Sequence, residues 1–235
     1  MNFILTCAFV LLSFLAISCG ENRTDYFPLK NKKLWAYNIQ IIPSEEDKIN
    51  YKKTNFSLEK QIIERGKTKI DVYPVIRENE TVYYYSRNKD GIFREAVQFK
   101  QSKPLSLEEK KKTVLKFPLQ VGNKWSAPSK TYLILRRYAY FDYRANTNFL
   151  LNLELTSNTA TVKVPAGTFR NCLKVEGYGE TTFIGDREIG SIKIKIKTSD
   201  WYAPNVGLIK SVRVEGTDSD LFGTSEMIQE LEDFK

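Results

Sequence analysis

The sequence predicts a mainly β fold: a curved antiparallel sheet, an open half-barrel or sandwich-like meander, with at most one or two short helices. Three observations predict it. Ser191 to Lys197 alternates without a fault, placing Ile192, Ile194 and Ile196 on one face and Lys193, Lys195 and Lys197 on the other, as a half-buried strand requires. Runs rich in Val, Tyr, Phe and Ile are separated by short turn sequences, the signature of hairpins. Elsewhere the apolar period is two far more often than 3.6.

The N-terminal run from Phe3 to Ile17 is apolar apart from Thr6, Cys7 and Ser13 and carries no formal charge. A spanning helix needs roughly 20 apolar residues, whereas this run gives way to Gly20, Glu21, Asn22 and Arg23, as an export signal does. Leu15-Ala16-Ile17-Ser18-Cys19 resembles the lipobox of bacterial lipoproteins, with Ser18 as the small residue before the cut. It departs from the usual pattern in having Ala16 where Leu is commonest and no Lys or Arg ahead of the apolar run. The resemblance implies that residues 1–18 are a signal peptide and that Cys19 is the lipidation site, its thiol diacylglycerylated and its new amine acylated. At about 0.8 kcal/mol per buried methylene, two or more acyl chains hold a protein stably at a membrane. The membrane is thus the expected partner, through the anchor. Gly20 stands where Asp would retain such a protein at the inner membrane of enteric-type bacteria. The expected location is therefore the outer membrane, facing the periplasm or the outside.

Residues 19–25 read as a polar tether and 26–235 as the β-rich domain. Thr81 to Ser86 and Ile92 to Gln98 flank Asn88-Lys89-Asp90-Gly91, where Asp-Gly supplies the left-handed residues of a hairpin turn. Ser106-Leu107-Glu108-Glu109 has capping-box spacing and predicts a helical turn running into Lys110 to Lys112. Ala160 to Val164 and Phe169 to Glu176 flank Pro165-Ala166-Gly167, a second hairpin. Lys195 to Tyr202 and Gly207 to Glu215 flank Ala203-Pro204-Asn205-Val206, a third. Met227, Ile228, Leu231 and Phe234 fit a helical face, yet a last strand suits the meander better, and the strand is the reading adopted. An internal echo, Phe27-Pro28-Leu29 before Trp35 and Phe117-Pro118-Leu119 before Trp125, is compatible with two related halves, 26–115 and 116–235.

The chain carries 36 basic and 28 acidic side chains, a formal charge of +8 that removal of residues 1–18 leaves unchanged. Without a nucleic-acid motif this balance reads as a solvated basic surface, and no nucleic-acid partner is expected. There is no histidine, which removes His-based triads and general bases and the commonest metal ligand. No phosphate loop or nucleophile elbow is present. The acidic clusters Glu45-Glu46-Asp47 and Gly185-Asp186-Arg187-Glu188 read as solvated loops. No catalytic residue, cofactor or metal site is expected, and the domain is read as non-enzymatic. With Cys19 acylated, Cys172 is the one thiol left in the mature chain, so no intramolecular disulfide can form. It reads as a small buried residue, with a reactive thiol or an intermolecular bridge as the alternatives.

Val164-Pro165-Ala166-Gly167-Thr168-Phe169 with Cys172, and Trp201-Tyr202-Ala203-Pro204-Asn205-Val206-Gly207-Leu208-Ile209-Lys210, follow the FPLxxGxxW pattern of Phe117 to Trp125. In this order they resemble a widespread set of uncharacterised bacterial periplasmic and lipoprotein domains, over residues 115–215. The resemblance implies a strongly curved antiparallel sheet and no reaction. Exposed aromatics combine apolar area with a polar handle. Tyr84, Tyr140, Trp201 and Tyr202 are accordingly the candidate ligand-binding residues, for a lipid, glycan or protein ligand. The expected function is a membrane-anchored binding or structural domain. The alternative is a lipid or lipoprotein carrier whose half-barrel presents an apolar concave face.

Overall fold

The computed structural model describes residues 24–29, 32–44, 47–100, 102–137, 142–187 and 189–235. The signal run, Cys19, Glu45, Glu46, Tyr140 and Glu188 lie outside the described residues. The described residues contain fifteen strands and no helix. The first seven are β1 (Leu34–Pro43), β2 (Ile49–Ser57), β3 (Gln61–Arg65), β4 (Thr68–Arg77), β5 (Val82–Asn88), β6 (Gly91–Gln98) and β7 (Ser106–Lys116). The rest are β8 (Lys124–Lys130), β9 (Leu135–Arg137), β10 (Asp142–Arg144), β11 (Asn148–Val164), β12 (Gly167–Ile184), β13 (Ser191–Ala203), β14 (Gly207–Thr217) and β15 (Thr224–Phe234).

One antiparallel sheet runs in the order β7-β6-β5-β4-β2-β1-β15-β14-β13-β12-β11-β8, with β3 paired to β4 and β9-β10 forming a separate pair. It consists of two meanders of six strands joined where the first strand meets the last, with Tyr37 opposite Leu231 and Ile41 opposite Met227. The sheet curls until its edge strands β7 and β8 come into contact. There Lys116 Nζ donates to Lys124 O at 3.0 Å, and Asn123 Nδ2 donates to Pro118 O at 2.9 Å. The curvature goes beyond a half-barrel to a nearly closed barrel.

The three predicted hairpins form: Asn88 pairs with Gly91, Val164 with Gly167 and Ala203 with Gly207. Asn205, in the third turn, takes a φ of 60°, which Asn tolerates better than most residues. The alternation of residues 191–197 is realised in β13, where Ile192, Ile194 and Ile196 are fully buried and the intervening lysines exposed. Each such isoleucine stabilises the fold by about 1.5–3 kcal/mol relative to exposure. The C-terminal segment is strand β15.

One element differs from expectation. Ser106 to Lys112, with its capping-box spacing, is not helical but opens β7. A short amphipathic helix needs an apolar face to bury, whereas Leu107 is 40 % exposed and is followed only by charged residues up to Lys112. As a strand, the segment gains the ladder of β6, with Ala96 opposite Leu107 and Arg94 opposite Lys112.

Two segments pack into the barrel. At one mouth, Leu29 joins the main core, and Asp25 is fixed by Asn205 N donating to its carbonyl at 2.7 Å and by an ion pair with Arg87. At the other, the connection between β8 and β11 contributes Ile134 and Ala145 to that core. Both FPL segments precede a strand whose second residue is tryptophan, but the two indoles differ. Trp35 is buried and donates to Val206 O at 2.7 Å, whereas Trp125 is half-buried with its Nε1 unpartnered.

Candidate functional site

The barrel interior is only partly filled. A cavity of about 490 Å³ remains, lined from both meanders. Strand alternation decides what enters it: Tyr51, Lys53 and Asn55 from β2, Val75 and Arg77 from β4, and Arg94 from β6 with Lys112 and Val114 from β7. From the other meander come Thr198, Asp200 and Tyr202 of β13, Ser211 and Arg213 of β14, and Met227 and Gln229 of β15. Leu29, Val75, Leu151, Leu153 and Val175 belong both to the lining and to the main core, so one wall is apolar. Tyr132 lines the cavity with 46 % of its surface accessible.

Five basic side chains line this space, Lys53, Arg77, Arg94, Lys112 and Arg213, against the carboxylates of Glu78 and Asp200. Two of the five have dedicated partners. Arg94 Nε donates to Glu108 Oε1 at 2.6 Å, and Arg213 Nε donates to Glu215 Oε1 at 2.7 Å. The other three have no ion pair among the described residues. Lys53 Nζ donates to Gln229 Oε1 at 2.8 Å and lies 5.6 Å from the Tyr37 ring centre. Arg77 stacks over Tyr83 at 4.2 Å, and its Nε is buried without a partner. Asn55 Oδ1, Thr198 Oγ1 and Gln229 Nε2 are likewise buried polar atoms of the lining that lack a protein partner. Such atoms are uncommon in native interiors and ask for an explanation.

The electrostatics follow from this crowding. Burial, reinforced by Arg77, pushes the Lys53 ammonium down to about 7, with Glu78 and Asp200 opposing. Burial and the neighbouring Arg94 and Arg213 push Lys112 down to about 8. Burial raises the Asp200 carboxyl above its ordinary range despite a hydrogen bond from Ser211 and the pull of Lys112, Arg213 and Lys53. Burial also raises the Tyr132 phenol to about 12 and that of Tyr202 well above its ordinary value. Desolvation is the leading cause of both lysine shifts, and neighbouring guanidinium groups add to it.

Of the residues singled out from the sequence, Tyr202 lines the cavity. Tyr84 is buried in a separate cluster with Ile63, Val72 and Ala96, its hydroxyl donating to Gln98 Oε1 at 2.9 Å. Trp201 is half-buried beside the Cys172 cluster, 5.5 Å from Lys174 Nζ. Cys172 itself is fully buried, and burial pushes its thiol up to about 11. The cavity cations were missed. Their one signal is that Tyr51, Lys53 and Asn55 share a phase, as do Thr198, Asp200 and Tyr202, so a polar set on an inward phase marks a lumen. Among the described residues no group of His, Cys, Asp and Glu could hold a metal ion.

Fold and cavity together define an all-β protein whose main sheet forms a nearly closed barrel, with an internal site lined by both apolar and cationic side chains. A family model described as DUF3108-like matches residues 152–225, the stretch from β11 to the start of β15 that contains both the VPAGTF and YAPNVGLIK hairpins. No curated protein matches. Among solved structures, that of a "putative lipoprotein" from Parabacteroides distasonis is similar at 15 % identity, covering 90 % of this chain and 99 % of that chain with a TM-score of 0.44.

Proposed function

We propose that this chain is a lipid-anchored protein of the bacterial cell envelope, held at the outer membrane through Cys19, whose barrel binds a small organic molecule in its lumen without transforming it. The observation that carries the binding reading is the interior cavity of about 490 Å³, within the usual range of roughly 300–1,000 Å³ for ligand sites. It combines an apolar wall with convergent polar groups, the composition such sites have. The anchoring reading rests on the lipobox-like Leu15 to Cys19 and on the short polar run between Cys19 and the first described residues.

Two measurements test the two parts. Intact-mass analysis of the membrane-extracted protein is expected to find a chain beginning at Cys19 with a diacylglyceryl group and an N-acyl chain. An unmodified thiol there, or an intact precursor, overturns the anchor. For the lumen, saturable binding of a naphthalene fluorophore at one site per chain is expected, and a Val175→Trp variant that fills the cavity is expected to abolish it. Equal binding by a folded Val175→Trp variant overturns the lumen as the binding surface.

A further inference from the structure

We infer that the lumen selects an organic anion, a carboxylate-, phosphate- or sulfonate-bearing molecule with an apolar body, its charge received by Lys53, Arg77 and Lys112. This deepens the binding reading above and rests on it.

Three observations converge. First, the lining holds more cations than carboxylates, and Lys53, Arg77 and Lys112 have no ion pair among the described residues. Withdrawing a charge even partly from water without a counter-charge is costly, and the fold half-buries one on each of three strands around one space. Second, the lining offers hydrogen-bond donors with nothing to donate to. Arg77 Nε and Gln229 Nε2 are buried and unpartnered donors, beside the unpartnered Thr198 Oγ1 and one acceptor, Asn55 Oδ1, and Gln229 is only 4 % exposed. An anion with several acceptor oxygens satisfies donors and charges together. Third, the one carboxylate that neighbours both lysines, Asp200, is shared among Lys53, Lys112 and Arg213, so a single negative charge faces three cations. The same space is lined by the apolar Leu151, Leu153 and Val175, which have no use for inorganic phosphate but cover a hydrocarbon or aromatic body.

The test uses the mature lipidated protein in nanodiscs, with the signal of empty nanodiscs subtracted. The probes are 8-anilinonaphthalene-1-sulfonate, its uncharged counterpart N-phenyl-1-naphthylamine, and inorganic phosphate as competitor. The sulfonate is expected to bind at one site per chain and at least about tenfold more tightly than the uncharged dye, the scale of one charge-assisted hydrogen bond. Lys53→Met and Lys112→Met are each expected to weaken the sulfonate by about tenfold or more and so to erase its advantage over the uncharged dye, and Lys53→Arg is expected to restore that advantage. Circular dichroism identifies any variant that fails to fold, and Lys53→Arg keeps the test decisive in that case. Equal affinity for both dyes, insensitive to the lysines, overturns the anion inference and leaves the binding reading standing. Phosphate competing as strongly as the sulfonate overturns the requirement for an apolar body. Binding of neither dye overturns both readings.

Discussion

Arg213 donates from Nε to Glu215 Oε1 across 2.7 Å, two residues along β14, and their side chains are only 7 % and 0 % exposed. Glu215 also accepts the backbone N–H groups of Tyr132 and Leu133, at 3.1 and 3.0 Å, so this carboxylate ties the β8–β11 connection to β14. Removing one partner of a buried pair leaves the other charge uncompensated, at a cost of about 3–5 kcal/mol. Glu215→Ala is expected to lose that much in urea unfolding. A loss under about 1 kcal/mol would contradict the role of this pair in holding the mouth of the barrel.

Lys53 sets the direction of the pH dependence. Its ammonium is lowered from 10.5 to about 7 in the folded chain, so the folded state binds fewer protons than the unfolded state between those values. A depressed folded value means stability is fully present above about 10.5 and lost as pH falls towards 7. Lys112, lowered to about 8, acts in the same direction. Raised phenols such as Tyr132 oppose this above pH 10, since stability from a raised group is lost as pH rises through its folded value. The Arg77 and Asp200 groups facing Lys53 carry opposite signs and do not reverse the trend. The melting temperature is therefore expected to rise from pH 7 to about pH 10. Lys53→Met is expected to raise it at pH 7 and flatten the slope.

Cys172 is expected to be inert in the native protein. Its side chain is fully buried and its thiol is pushed up to about 11 by that burial, and the thiolate is the reactive form. At pH 8 an aromatic disulfide reagent is expected to label it at least about 100-fold more slowly than a free thiol, and at the ordinary rate after denaturation. Rapid native labelling would place the thiol at the surface.

Gly91 ends the first hairpin at a φ of 152°, and a Cβ built there would stand 2.3 Å from the carbonyl oxygen of Leu115 in β7. No rotamer change relieves a clash with backbone. Gly91→Ala is expected to destabilise by about 1–3 kcal/mol in denaturant unfolding, and a neutral outcome would show that β7 can withdraw from β6 at that point.

The hairpins were legible because turn chemistry is local: Asp90-Gly91, Pro165-Ala166-Gly167 and Pro204-Asn205 carry their geometry within a few residues. Ser106 to Glu109 misled for the same reason, since its local capping pattern was outweighed by pairing with β6. Barrel closure was illegible, because it depends on β1 meeting β15 from the far end of the chain. The lumen was hidden by phase. Lys52 and Lys53 are neighbours, yet Lys52 meets Glu232 in an exposed ion pair at 2.8 Å while Lys53 meets Gln229 at the cavity at 2.8 Å. Only the register tells the two apart, and a one-residue slip would exchange them. Tyr83, Tyr84 and Tyr85 show the same ambiguity. Tyr85 lines the cavity, whereas Tyr84 is buried in the separate cluster with Ile63.

The most direct measurement is a crystal structure of the protein with 8-anilinonaphthalene-1-sulfonate. The dye is expected inside the barrel, its sulfonate oxygens within hydrogen-bond reach of Lys53, Arg77 or Lys112 and its rings against Leu151 and Val175. Dye bound instead in the open groove beside Trp125 and Tyr178, with the lumen unchanged, would contradict the account.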